Sequence, residues 1–104
     1  MKPTYQKHAS SLPTARKIRR ACSNELYRTV KRLKLWVPVE KMNQAETIYF
    51  KKVILALPYI AEHENNRKIL SDWWDENVSA EIAELWEVDI GRLRQAFRES
   101  FGGN

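Results

Sequence analysis

One stretch, Ala45–Ala61, is apolar on nearly every side when its sequence, AETIYFKKVILALPYIA, is placed on a helix. The run is interrupted only by four polar residues, which leave no broad polar face: Glu46, Thr47, Lys51 and Lys52. A helix of this kind is normally buried, because a helix facing water gains nothing from a second apolar face. Its length of about 25 Å is shorter than the ~30 Å hydrocarbon core of a bilayer. We therefore predict a central core helix over residues 44–61, which Pro58 ends or kinks in its last turn.

Positive charge is concentrated in the first third of the chain. Residues 1–35 carry ten Lys and Arg against Glu25 alone, a net charge of +9. Residues 36–104 carry eight Lys and Arg against twelve Asp and Glu, a net charge of −4, which leaves +5 overall. This asymmetry predicts a polyanionic partner for the first part of the chain. The alternative is a basic surface that is only solvated.

The remaining composition is typical of one folded domain of 104 residues, with 43% apolar residues. Cys22 is the only cysteine, so no intramolecular disulfide can form, which fits a reducing compartment. The N-terminal residues lack the apolar run of a secretory signal, and no membrane-spanning stretch follows. We expect a cytoplasmic, all-α protein in which about five helices form a compact bundle.

Residues 13–36 predict a long amphipathic helix that follows a flexible lead-in over residues 1–11. Ser10 or Ser11, with Pro13 close behind, marks its start. An apolar stripe about 120° wide contains Ile18, Cys22, Leu26, Val30, Leu33 and Trp36. The opposite face contains Tyr27 among seven cations, which are Arg16, Lys17, Arg20, Arg28, Lys31, Arg32 and Lys34.

Seven cations on one helix face repel one another, and Glu25 alone gives little relief. A basic row of about 30 Å would run beside several nucleic-acid phosphates, and the release of counterions would favour the contact. The pattern therefore predicts binding to a nucleic-acid backbone, with Tyr27 and, if it is exposed, Trp36 able to stack on bases. An acidic protein, a membrane surface or no partner at all are the alternatives.

Two shorter segments complete the middle of the chain. Because the residue before a proline avoids the helical region, we expect a break at Pro38 and a connector over residues 38–43, with Asn43 as the cap of the core helix. Residues 66–77 predict a third helix that contains the adjacent Trp73 and Trp74. These two side chains lie about 100° apart on a helix, so one can face the core while the other contacts a partner protein.

The sequence contains no constellation that indicates catalysis. The carboxylates of Asp72, Asp75 and Glu76 are not accompanied by a nucleophile, a set of metal ligands or a glycine-rich phosphate loop. His63 has no second histidine or cysteine at ligand spacing. We therefore predict a non-enzymatic protein without a metal or cofactor.

The last segment, residues 79–101, predicts two short helices joined by about three residues, the spacing of a helix-turn-helix. Asn77 or Ser79 can cap the first helix, and Asp89 can cap the second. Residues at the positions that shape such a motif are Ile82, Ala83, Val88, Asp89, Leu93 and the run LRQAFRESFG.

On these residues the segment resembles the DNA-binding helices of the arabinose-operon activator family. The resemblance implies that a recognition helix enters the major groove of DNA. The positions that would face the groove are Ile90, Arg92, Arg94, Gln95 and Arg98. Glu87 stands where the family's turn usually has glycine, so we expect a left-handed backbone conformation on a residue poorly suited to it.

Three hypotheses follow. The first is a small helix-turn-helix regulator that binds DNA rather than RNA. The second is a helical subunit of a larger nucleoprotein complex. This subunit would bind nucleic-acid backbone and contact its neighbours, including copies of itself, through its acidic C-terminal half. Small subunits of RNA-guided effectors behave in this general way, and we compare them by analogy only. The third is a protein-interaction module in which Trp73, Trp74 and Trp86 are the anchors.

Overall fold

The computed structural model describes residues 12–104, and within that range every regular element is an α-helix. The prediction of an all-α bundle is therefore confirmed. The six helices are α1 (Ala15–Leu33), α2 (Val39–Leu55), α3 (Leu57–Glu62), α4 (Arg67–Asn77), α5 (Ser79–Trp86) and α6 (Ile90–Phe101). The lead-in predicted over residues 1–11 and the caps predicted at Ser10 or Ser11 lie outside the described residues.

Helix α1 begins where Thr14 provides a cap. The Thr14 Oγ1 atom accepts a hydrogen bond of 3.2 Å from the backbone N–H of Lys17. The helix packs against α2 on one side and α6 on the other, so one stripe is buried and the opposite face is left to solvent. The buried stripe consists of Ile18, Cys22, Leu26, Thr29 and Leu33.

The end of α1 removes Trp36 from this stripe. The helix stops at Leu33, and Lys34 adopts a left-handed conformation with a φ of 56°. In that conformation the Lys34 N–H bonds back to the last turn, and the chain leaves the helical path. Trp36 is consequently 84% exposed, so the prediction that it lies on the apolar stripe is wrong.

The predicted core helix is two helices, because both prolines stand at helix starts. Pro38, with its extended conformation, occupies the cap position of α2, so the expected connector over residues 38–43 and the cap at Asn43 are wrong. The chain breaks instead at Ala56, whose φ of −112° departs from the helical value. Pro58 lies in the first turn of α3, where a missing N–H removes no helical hydrogen bond.

Helix α2 buries only one face. Its buried side chains are Met42, Ala45, Tyr49 and Val53. Leu55, at the end of the helix, is 83% exposed, and Ile54 is also exposed. The expectation that this segment is buried on every side is therefore wrong, because the helix ends at Leu55 and no element of residues 12–104 covers the far side of α2.

The centre of the core is aromatic and lies between α4 and α6. Trp74 and Phe97 are fully buried and stack with ring centroids 3.9 Å apart. Tyr49 of α2 meets both rings edge-on at 6.1 Å. Leu26 of α1, Ile82 of α5 and Leu93 of α6 are buried in the same cluster. The buried stripe of α1 packs into this core and holds the helix in place.

Helices α5 and α6 are joined by residues 87–89. Glu87 has a φ of 56°, which is the left-handed conformation expected at this turn. Asp89 caps α6 as predicted, since its Oδ2 atom accepts a hydrogen bond of 2.9 Å from the N–H of Arg92. The cap expected for α5 is wrong: Asn77 donates to the carbonyl of Trp73, and the Ser79 hydroxyl donates to the carbonyl of Asp75.

No helix of residues 12–104 is both long enough and apolar enough to cross a membrane.

Candidate nucleic-acid interface

The seven cations that the sequence assigned to nucleic-acid backbone lie on the outward face of α1 or, for Lys34, at the residue that ends this helix. Every one of them is exposed to solvent: Arg16, Lys17, Arg20, Arg28, Lys31, Arg32 and Lys34. They are held outward because the opposite stripe of the same helix is buried against α2 and α6. We use the term basic face for these seven residues.

Few of these cations are neutralised within the protein. Arg32 pairs with Glu99 of α6 at an N–O distance of 3.2 Å. The other six residues of the basic face form no ion pair with any residue of the described range. Arg19, which lies beside the basic face, pairs with Glu46 of α2 at 3.2 Å. The charge of the basic face is therefore largely available to an external partner.

Two shallow depressions extend the basic face to either side of α1. The first lies toward α6 and is lined by Arg28, Lys31, Arg32, Lys34, Glu99 and Ser100. The second lies toward α2, near the start of α1, and is lined by Arg16, Arg19, Arg20, Ser23, Asn24 and Glu46. Each depression has one carboxylate, Glu99 in the first and Glu46 in the second, and the excess of cations in both would attract phosphate groups.

Two large aromatic side chains accompany the basic face. Tyr27 lies among its cations and is 56% exposed. Trp36, just beyond the end of α1, is the most exposed of the large apolar side chains in residues 12–104. Aromatic rings beside cations are the combination that binds single strands, because bases stack on the rings while phosphates meet the cations.

Helix α6 presents fewer polar groups than the sequence suggested. Arg92 and Gln95 are exposed, and Gln95 Nε2 donates to Glu99 at 2.7 Å. Ile90 is half-buried and packs against the core. The exposed residues on neighbouring α5 include Glu81 and Glu84, so this side of the molecule is acidic.

Arg94 and Arg98 do not face outward, and the prediction that they reach bases is wrong. The Arg94 guanidinium donates to Ser79 Oγ at 3.0 Å and to the carbonyl of Asp75 at 3.1 Å. Arg98 donates to the carboxylates of Asp72 and Asp75, at 2.8 Å for Asp75 Oδ2. The Arg98 hydrogen bond lowers the pKa of the Asp72 carboxyl below its ordinary value. Both guanidinium groups are therefore used to join α6 to α4 and α5.

The C-terminal residues complete this internal network. Arg98 Nη1 also donates to the carbonyl of Gly103 at 3.2 Å. Gly103 is buried, and a Cβ atom added to it would lie only 1.9 Å from Ser71 Oγ. A side chain at this position would displace the chain, so glycine is required by the close approach to α4.

The tryptophans predicted as partner contacts are turned inward. Trp74 has no exposed surface, so its assignment to a partner is wrong. Trp73 is half-buried and packs against the core. Trp86 is also buried, and its Nε1 atom donates to the carbonyl of Lys41 at 3.2 Å. Trp36, which the sequence pattern placed in the core, is the exposed tryptophan.

Sequence analysis did not anticipate the contact between Glu25 and Tyr49. The Tyr49 hydroxyl donates a hydrogen bond to Glu25 Oε1 on the inner side of α1. Burial raises the pKa of Glu25 above its ordinary value of 4.5, although Tyr49 and nearby Arg67 oppose the shift. The sequence feature that could have indicated this contact is the position of Glu25, one residue before the buried Leu26. Cys22, as expected, is a buried thiol, and burial raises its pKa.

No protein-family model, no curated protein and no solved structure matches this chain.

Proposed function

We propose that this protein binds the sugar–phosphate backbone of nucleic acid through the basic face of α1, without catalysing a reaction. The observation that carries the proposal is a set of six exposed cations that have no ion pair in the described structure, five of them on the outward face of α1 and Lys34 at its end. Exposed Tyr27 and Trp36 beside them add a means of stacking on bases.

The physical argument rests on the mutual repulsion of these cations. Like charges spaced three or four residues apart destabilise a helix by a few tenths of a kcal/mol per pair, roughly 0.2–0.5. The protein has thirteen acidic residues that could have relieved this repulsion, yet nine of them lie in residues 62–89, which contain α4 and α5 and lie away from the basic face. Phosphates would supply the missing negative charge, and the release of their counterions would favour binding.

The same distribution of charge supports an orientation for the complex. Residues 62–89 carry nine acidic side chains against Arg67 and Lys68. A polyanion would be repelled from this part of the molecule and attracted to the basic face. We therefore infer that α4 and α5 point away from the nucleic acid, where they are free to meet a neighbouring protein in a larger assembly.

A helix-turn-helix regulator is the second candidate. The three-residue turn, the close packing of α5 on α6 and the Asp89 cap favour it. With Arg94 and Arg98 bonded internally, base reading would depend on Arg92 and Gln95. The acidic α5 would lie across the phosphate backbone in such a complex, where it would be repelled.

Binding measurements with paired variants separate the two candidates. Labelled duplex DNA, single-stranded DNA and RNA would be titrated with protein from about 50 to about 300 mM salt. The variant Arg20→Ala/Lys31→Ala removes two cations of the basic face. Its charge-matched control, Lys51→Ala/Arg92→Ala, removes two exposed cations elsewhere.

We expect the first variant to lose about tenfold in affinity for every ligand and to lower the slope of log K against log salt by about 2. The control variant should bind as the wild type does. Loss confined to the control variant, together with a preference for duplex DNA, would favour the helix-turn-helix regulator. Absence of binding by the wild type at low salt would contradict both candidates.

A further inference from the structure

A cleft of about 370 Å³ lies on the inner side of α1, between that helix and the C-terminal part of α2, α3 and α4. Its walls are mainly apolar and include Ile18, Ala21, Val53, Leu57, Ile60 and Leu70. Ligand sites in proteins usually occupy ~300–1,000 Å³ and combine apolar walls with a few polar groups. The cleft has that size and that character.

Glu25 and Tyr49 provide polar groups in this cleft. Tyr49 is buried, and its hydroxyl donates to Glu25 Oε1. The second oxygen of the same carboxyl group, Oε2, accepts no hydrogen bond from residues 12–104. Glu25 is half-buried, so this oxygen is available to accept a hydrogen bond from a donor on a ligand. Burial also raises the pKa of Glu25, although the hydrogen bond from Tyr49 opposes the shift.

The cations at the cleft do not offer an equally good site for an anion. The Arg67 guanidinium lies over the ring of Phe101 at 4.4 Å and donates to its carbonyl oxygen at 2.9 Å. Lys17 lines the cleft as well, but it is exposed and Glu64 lines the same cleft. The half-buried Glu25 carboxyl is therefore the polar group of the cleft that can still accept a hydrogen bond from a ligand.

We propose that this cleft binds a small molecule with an apolar body and a head group that donates a hydrogen bond to Glu25. An aliphatic amine and an aliphatic alcohol share that chemistry, and the experiment distinguishes them. Lys17 is the one residue of the basic face that lines the cleft, and the other walls come from the inner side of α1 and from α2, α3, α4 and α6, so the proposal does not depend on nucleic-acid binding.

The first test uses N-phenyl-1-naphthylamine, an apolar fluorophore with one N–H donor, and the full chain. We expect saturable binding of one molecule per chain. Ala21→Trp places a large side chain in the cleft at an exposed helix position and should weaken binding at least about tenfold. The matched control is Ala80→Trp, on α5, which should bind as the wild type does.

The second test identifies the head group by displacing the fluorophore from wild type with octylamine, 1-octanol or sodium octanoate. Octylamine and octanol should displace it more effectively than octanoate, because a second carboxylate would be repelled by Glu25. In Glu25→Gln, octylamine should lose about tenfold in affinity, whereas octanol should change little because the amide oxygen still accepts.

Three results would overturn the proposal. They are the absence of saturable binding to the wild type, equal binding by Ala21→Trp and Ala80→Trp, and stronger displacement by octanoate than by octylamine. The comparison of octylamine with octanoate uses wild type alone, so it stands even if a variant does not fold.

Discussion

Helices α1 and α6 both carry several cations, yet they use them in opposite ways. The basic face of α1 holds six exposed cations without an ion pair in the described structure, whereas Arg94 and Arg98 of α6 are bonded inside the protein. The difference arises from what each helix faces. The inner side of α6 meets the acidic residues of α4, whereas within residues 12–104 the outer side of α1 meets an acidic residue only where Arg32 pairs with Glu99. A cation becomes available to a ligand only where the fold provides no acid for it.

This comparison also explains why the number of arginines on a helix is a poor guide to a binding surface. Three arginines of α6 suggested a recognition helix, but two of them hold the helix in place. We therefore propose that the arginines of α6 contribute to the stability of the fold, whereas the cations of the basic face contribute to the affinity for nucleic acid.

The largest expected effect is on stability, in Arg98→Ala. This change removes two ion pairs and leaves Asp75, whose side chain is 19% exposed, without its partner. Loss of one partner from a fully buried pair costs about 3–5 kcal/mol. Because water reaches part of this cluster, we expect about 2 kcal/mol, measured by urea unfolding at neutral pH.

The control for that experiment is Arg20→Ala, on the basic face, which should change the unfolding free energy by no more than about 0.5 kcal/mol. Equal losses in Arg98→Ala and Arg20→Ala would show that the two sets of cations are not distinct in the way described.

A smaller effect is expected when the unfolding free energy of the same variant, Arg98→Ala, is measured as a function of pH. The hydrogen bond from Arg98 lowers the pKa of Asp72 below its ordinary value of 3.8. A lowered carboxyl pKa contributes stability that is present above the unfolded value and is lost as the pH falls through the folded value. The difference in unfolding free energy between wild type and Arg98→Ala should therefore shrink as the pH falls below about 3.8.

Thermal unfolding at a series of pH values would measure this change. For Arg20→Ala, the difference from wild type should stay nearly constant over the same range, because Arg20 has no carboxylate partner in residues 12–104. A difference for Arg98→Ala that persists undiminished at the lowest pH would mean that its cost does not arise from the carboxylate contacts.

The smallest expected effect is a gain in stability from Arg20→Glu. The new carboxylate would lie four residues from Arg16 and three from Lys17 within α1, in place of repulsive pairs. We expect a gain of roughly 0.3–0.5 kcal/mol together with weaker binding to nucleic acid. Arg20→Gln, which removes charge without creating a pair, is the matched control and should gain less. A loss of stability in Arg20→Glu would contradict the inference that the cations of the basic face repel one another.

Much of the helical architecture could be predicted from local patterns. The buried stripe of α1 follows the 3.6-residue period, and the Asp89 cap follows from a side chain that bonds backbone N–H groups only a few residues away. The left-handed Glu87 is also a local property of a short turn. Interactions within one or two turns are encoded by neighbouring residues, so a sequence reveals them.

Some failures are local, since Lys34 ends α1 before Trp36 and Pro38 begins α2 where a connector was expected. The other failures concern positions set by distant parts of the chain, such as Trp74, which is buried where Phe97 stacks on it. The internal roles of Arg94 and Arg98 depend on α4 lying beside α6. The apolar run over residues 44–61 could not reveal that one side of α2, with Ile54 and Leu55, stays exposed. Local patterns carry no information on which elements become neighbours.

The differing environments of the tryptophans have an optical consequence. Trp36 is almost fully exposed, whereas Trp74 and Trp86 are shielded by the core. Water-soluble quenchers such as acrylamide should reach the Trp36 indole readily and the two shielded indoles poorly. Because Trp36 lies beside the end of the basic face, a ligand that covers this end would shield the accessible emission. The chain thus carries an intrinsic fluorophore at one end of the surface proposed to bind nucleic acid, without any need for a label.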